Sequence, residues 1–93
     1  MIQSGIDYDD KTFKDLEMFQ SQLRANTFNE CRFEGCTFSE SYFRNCRFVN
    51  CIFKNCDLSL VQIPDCSFPG TRFENSKMIG INWAQAYFPE KTL

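Results

Sequence analysis

The feature that most constrains this chain is a strict period of five. Taking every fifth residue from Phe28 gives Phe28, Phe33, Phe38, Phe43, Phe48, Phe53, Leu58, Ile63, Phe68, Phe73, Met78, Trp83 and Phe88. All are large and apolar; this position is called i. Two residues earlier stand Asn26, Cys31, Cys36, Ser41, Cys46, Cys51, Cys56, Val61, Cys66, Thr71, Ser76, Ile81 and Ala86, and all 6 cysteines of the chain fall in this phase. With random phases that coincidence would arise roughly once in 3,000 tries, so the repeat is real. The prolines Pro64, Pro69 and Pro89 fall at i+1. Gly35, Gly70 and Gly80 fall at i+2, together with Asn45, Asn50, Asn55 and Asn75.

Strand geometry explains the pattern. In an extended segment, side chains two apart point the same way, so i−2 and i face inward while i−1 and i+1 face outward. Glycine or asparagine at i+2 suits a corner. A helix with 3.6 residues per turn cannot keep a five-residue period on one face. A flat sheet would flip faces at every repeat. The chain must therefore coil as segment, corner, segment, corner, and the expected class is all-β.

Units such as Cys31-Arg32-Phe33-Glu34-Gly35 and Cys51-Ile52-Phe53-Lys54-Asn55 resemble the pentapeptide-repeat proteins. The stretches Asn55–Leu60 and Gly80–Trp83 resemble members related to the Qnr-type quinolone-resistance proteins, whose N-terminal half this chain is similar to. The resemblance implies a right-handed quadrilateral β-helix of about three to four coils, with four repeats and ~20 residues per coil and ~4.8 Å between coils. It further implies four columns: Phe28-Phe48-Phe68-Phe88, Phe33-Phe53-Phe73, Phe38-Leu58-Met78 and Phe43-Ile63-Trp83. It also implies members about twice this length and end-to-end homodimers, here through the C-terminal end carrying Trp83, Tyr87 and Phe88. The expected layout is an N-terminal cap or imperfect first coil over 1–25, the solenoid over 26–88 and a tail over 89–93. In the first segment Tyr8, Phe13, Met18 and Leu23 keep the i frame, but Ile6, Lys11, Leu16 and Ser21 are poor i−2 residues. Leu16, Phe19 and Leu23 also fit the stripe of a short helix.

The cysteines are read as small buried hydrophobes. Their spacings are multiples of five, and the chain has 0 histidines, which is not the pattern of a metal site. The stacked pairs Cys31/Cys51, Cys36/Cys56 and Cys46/Cys66 are expected to run parallel rather than converge as a disulfide needs. There is no nucleophile elbow, phosphate loop or dinucleotide turn. No catalytic residue, metal or cofactor is expected, and the chain is not read as an enzyme. No run of about 18 apolar residues exists, and the first residues do not read as a secretory signal. The expected location is cytoplasmic, with no membrane partner.

Some pentapeptide-repeat members mimic duplex DNA and bind DNA gyrase or topoisomerase IV, so the resemblance makes a topoisomerase a candidate partner. Duplex DNA carries one charge per ~1.7 Å, so ~15 Å of mimic should show about nine negative charges. Between Asn26 and Ala86 the acids Glu30, Glu34, Glu40, Asp57, Asp65 and Glu74 are matched by Arg32, Arg44, Arg47, Lys54, Arg72 and Lys77. A neutral solenoid argues against strong mimicry, and a net charge of −2 argues against direct nucleic-acid binding. The leading reading is a structural or protein-interaction module, with the outward apolar residues Val49, Ile52, Leu60 and Ile79 as its candidate surface.

Overall fold

The computed structural model describes residues 2–87. Among them run nine three-residue strands: β1 (Asp7–Asp9), β2 (Thr12–Lys14), β3 (Gln22–Arg24), β4 (Thr27–Asn29), β5 (Arg32–Glu34), β6 (Tyr42–Arg44), β7 (Arg47–Val49), β8 (Ile52–Lys54) and β9 (Arg72–Glu74). Every pairing is parallel and joins residues 20 apart, as in Tyr8↔Phe28↔Phe48 and Phe13↔Phe33↔Phe53↔Phe73. The first side is β1-β4-β7, the second β2-β5-β8-β9 and the fourth β3-β6. The third side is linked by single bridges, Glu17↔Thr37↔Asp57↔Lys77. The protein is a four-sided parallel β-solenoid, all-β as the period requires.

The corners explain why the strands are so short. Every fifth residue from Gly5 to Gly80 has a positive φ, between 47° and 78°. A left-handed residue ends the extended run and turns the chain onto the next side. Gly5 keeps this phase as well, so the frame begins upstream of Phe28 and all 4 glycines occupy corners.

Two columns of stacked rings fill the core. Tyr8, Phe28, Phe48 and Phe68 stack with centroids 5.4, 4.9 and 5.1 Å apart. Phe13, Phe33, Phe53 and Phe73 stack at 5.2, 4.5 and 5.1 Å. Rings of adjacent columns meet edge to face, as Phe28 meets Phe33 at 5.4 Å and 72°. Each buried ring contributes about 1.5–3 kcal/mol of transfer free energy. Phe38, Phe43, Leu58 and Ile63 continue the buried core on the other two sides.

Residues 7–24 hold strands β1 to β3, stacked under β4 to β6, rather than the short helix that Leu16, Phe19 and Leu23 could have drawn. Phe19 is exposed because it sits at i+1. Below this coil, Ile2 is buried, and Asn26 Nδ2 donates to the carbonyls of Gln3 (2.6 Å) and Ile6 (3.0 Å). The first residues thus fold under the lowest layer and cover part of it.

At the other end the frame changes. Trp83–Gln85 form a 3-10 turn, with Asn82 Oδ1 accepting from the Ala84 amide at 3.1 Å. The turn displaces the backbone, so Gln85 Oε1 accepts from the Ile63 amide at 3.2 Å. Trp83 therefore departs from the expected core position: it is 39% exposed, its ring edge-on to Phe68 and Phe73 at 5.7 and 5.9 Å. Phe68, Phe73 and Met78 are only partly buried, as members of the last full layer of the described residues. Phe88, the tail over 89–93 and the end surface proposed for dimerisation lie outside the described residues, apart from Trp83 and the exposed Tyr87.

Candidate interaction surface

Cys31, Cys36, Cys46, Cys51, Cys56 and Cys66 are all free thiols, buried at the inward i−2 position. They are more than small apolar fillers. Each Sγ–H donates to the carbonyl 23 residues earlier, from Cys66 to Phe43 O at 3.1 Å through Cys46 to Leu23 O at 3.7 Å. Ser41, Thr71 and Ser76 use their hydroxyls identically, on Met18 O (2.6 Å), Phe48 O (2.7 Å) and Phe53 O (3.1 Å). Side-chain donors at i−2 thus meet carbonyls of the coil below, a role that residue counting alone could not separate from packing. Burial pushes the Cys31 and Cys51 thiols up, the latter to about 11. In two stacked pairs the side-chain contact raises Cys56 and Cys66, helped by burial, and lowers Cys36 and Cys46. Among the described residues no group of three or more histidines, cysteines or carboxylates is placed to hold a metal ion.

The outward positions are mostly polar ladders. On the second side Lys14, Glu34, Lys54 and Glu74 stand in register, alternating in charge. Glu34 also meets Arg32 Nε at 3.0 Å, and that hydrogen bond, with the lysines above and below, holds its carboxyl below the usual range. On the third side Asp57 Oδ1 accepts from the Ser59 amide at 3.0 Å, which lowers its carboxyl too. At the corners Asn75 donates to Asn55 (2.6 Å) and Gln20 to Glu40 (3.1 Å).

The four expected surface residues do not form one patch. Val49 and Ile52 are half-buried and flank the corner between the first and second sides. Leu60 and Ile79 lie at the diagonal corner, between the third and fourth, where the Leu60 amide donates to Ile79 O at 2.9 Å. Leu60 is 53% exposed and Ile79 75%. Leu60 occupies a left-handed corner with φ 60°, where asparagine or glycine would rest without strain; an L-residue with a bulky side chain there loses roughly 1–2 kcal/mol. Gly80 makes room for it: a Cβ on Gly80 would lie 2.5 Å from Leu60 Cδ2. Ser39, Ser59 and Glu40 border the ridge with polar groups, and Phe19, 55% exposed, stands at the foot of the Ser39-Ser59-Ile79 row. Phe19 was hidden in the sequence by its fit to a helical stripe.

The family model for a pentapeptide repeat region matches residues 26–93. The chain belongs to the pentapeptide-repeat family. Two solved structures of QnrB1, a plasmid-mediated fluoroquinolone resistance protein, are similar to this pentapeptide-repeat chain. The full-length form is 17% identical, with 83% of this chain and 48% of that one covered and a TM-score of 0.27. A trypsin-treated variant form is 16% identical, with 91% and 73% covered and a TM-score of 0.29. The chain thus spans about half the length of full-length QnrB1. No curated protein matches it.

Proposed function

We propose that this pentapeptide-repeat protein is a non-enzymatic interaction module that docks a protein partner through the Leu60–Ile79 corner. The observation that carries this reading is Leu60 itself. It is half exposed and held at positive φ, and it is the one large apolar side chain at a corner phase that elsewhere holds glycine, alanine or a polar residue such as Glu40, Asn50 or Asp65. A left-handed corner is common to every side of the solenoid, but a large apolar side chain left exposed on one contributes little to folding. The partner would offer an apolar pocket for the two side chains, with donors for the serine and Glu40 rim.

The test is a cross-linking pull-down comparing the natural chain with Leu60→Asn/Ile79→Ser. The reading expects one partner retained by the natural chain and lost by the variant, with both folded by circular dichroism. A partner retained equally by both would overturn it. A DNA gyrase supercoiling assay, with and without a fluoroquinolone, belongs beside it. Inhibition or drug protection that survives the double substitution would favour a topoisomerase partner bound elsewhere. The alternating ladder of Lys14, Glu34, Lys54 and Glu74 speaks against binding by duplex mimicry.

A further inference from the structure

The strand register sorts charges with one exception. Four in-register neighbours of like kind are opposite in sign: Lys14↔Glu34, Glu34↔Lys54, Lys54↔Glu74 and Asp57↔Lys77. The exception is Arg24↔Arg44 on the fourth side. Stacked strands lie only ~4.8 Å apart, and like charges directly opposite destabilise a sheet. Just around the next corner Arg47 leads β7 on the first side, so three arginines gather at one edge of the solenoid.

None of the three makes an ion pair among the described residues, whereas Arg32 and Arg72 on the second side each pair with a glutamate of their own strand. Arg44 and Arg47 line a surface depression of about 590 Å³, with Asn45, Thr27, Ser67 and Tyr87 supplying further polar groups. Asp65 also lines it, yet forms no ion pair with either arginine. Two arginines beside amide and hydroxyl donors supply the donor set that a phosphate group takes, since its oxygens accept paired hydrogen bonds from arginine.

We infer that the Arg44–Arg47 corner, reinforced by Arg24, is a binding site for a small ligand bearing a phosphate or pyrophosphate group. Bound phosphate would occupy the space between the two guanidiniums and relieve the repulsion of the arginine stack. The site is on a different corner from Leu60 and does not depend on the interaction reading.

The experiment is titration of the purified chain with inorganic phosphate and with pyrophosphate, read by calorimetry and by the melting temperature. Sodium chloride and sodium glutamate at matched ionic strength serve as the simple-salt and carboxylate arms. The site predicts saturable stabilisation by pyrophosphate beyond either control. Arg44→Gln/Arg47→Gln is expected to weaken pyrophosphate binding at least tenfold while melting no lower than the natural chain without ligand, since a like-charge stack has been removed. Arg44→Lys, which keeps charge but loses the fork, should bind at intermediate strength, and Arg32→Gln should bind normally. Equal effects of chloride or glutamate and pyrophosphate would overturn the inference, as would undiminished pyrophosphate binding by the double variant. If the double variant does not fold, Arg47→Gln alone is decisive in its place: unchanged pyrophosphate affinity would overturn the site.

Discussion

Phe48→Ala probes the column that holds the coils together. Phe48 is 1% exposed. Its ring is stacked between Phe28 at 4.9 Å and Phe68 at 5.1 Å, with Phe53 at 5.4 Å, Phe43 at 6.0 Å and Phe33 at 6.1 Å around it. Truncation removes the transfer free energy of a whole ring and leaves a cavity walled by five others. Such substitutions cost about 3–5 kcal/mol, and contact on both faces places this one near the upper end. Phe73 supplies the comparison. It is only partly buried, and its ring neighbours are Phe53, Phe68 and Trp83 at 5.1, 5.9 and 5.9 Å. Phe73→Ala is expected to cost about 2 kcal/mol on the same scale. Urea unfolding followed by circular dichroism measures both, with Phe48→Leu, expected at about 1 kcal/mol, as the variant that stays folded. A loss below about 1 kcal/mol for Phe48→Ala would refute the stacked-column register, and so would equal losses at Phe48 and Phe73.

Two further outcomes follow from the i−2 donors. Ser41 Oγ donates to Met18 O at 2.6 Å and accepts from the Ser21 amide at 3.0 Å. Ser41→Ala should therefore lower stability in a urea melt by about 1–3 kcal/mol, while Ser41→Cys, which copies the solution used at Cys36 and Cys46, should lose less. The six thiols are 0–3% exposed, so mass spectrometry after iodoacetamide treatment should find them unmodified in the folded chain and fully alkylated in urea. Rapid labelling of Cys36, whose thiol is pulled down by its contact with Cys56, under native conditions would show that its coil opens.

How far the sequence could be read depends on which contacts are periodic. The i and i−2 positions repeat every five residues, so the inward faces of Phe28 through Ile63 and the burial of every cysteine were legible from spacing alone. The corner phase was legible too, though Gly5 lay outside the stretch where the frame looked regular. The thiol-to-carbonyl hydrogen bonds were not, because a cysteine at a buried position reads as apolar whether or not it donates. The departure of Trp83 was hidden for a different reason. Its phase and size fit the column, and only the 3-10 turn capped by Asn82 lifts it away. The surface was the least legible part: spacing put Leu60 and Ile79 on one face of adjacent coils, but only the fold sets Val49 and Ile52 at the diagonal corner. The arginine edge draws Arg24 and Arg44, 20 residues apart, together with Arg47 across a corner, and no linear motif joins them.

The equilibrium stability of Leu60→Asn tests most directly whether the Leu60 corner is kept for binding rather than for folding. The substitution gives up the half of the leucine that is buried, about 1 kcal/mol, and relieves left-handed strain of similar size. A urea melt is therefore predicted to move by no more than about 0.5 kcal/mol in either direction. A loss of about 2 kcal/mol or more, the cost of truncating a true core residue, would make Leu60 a folding element and contradict the account.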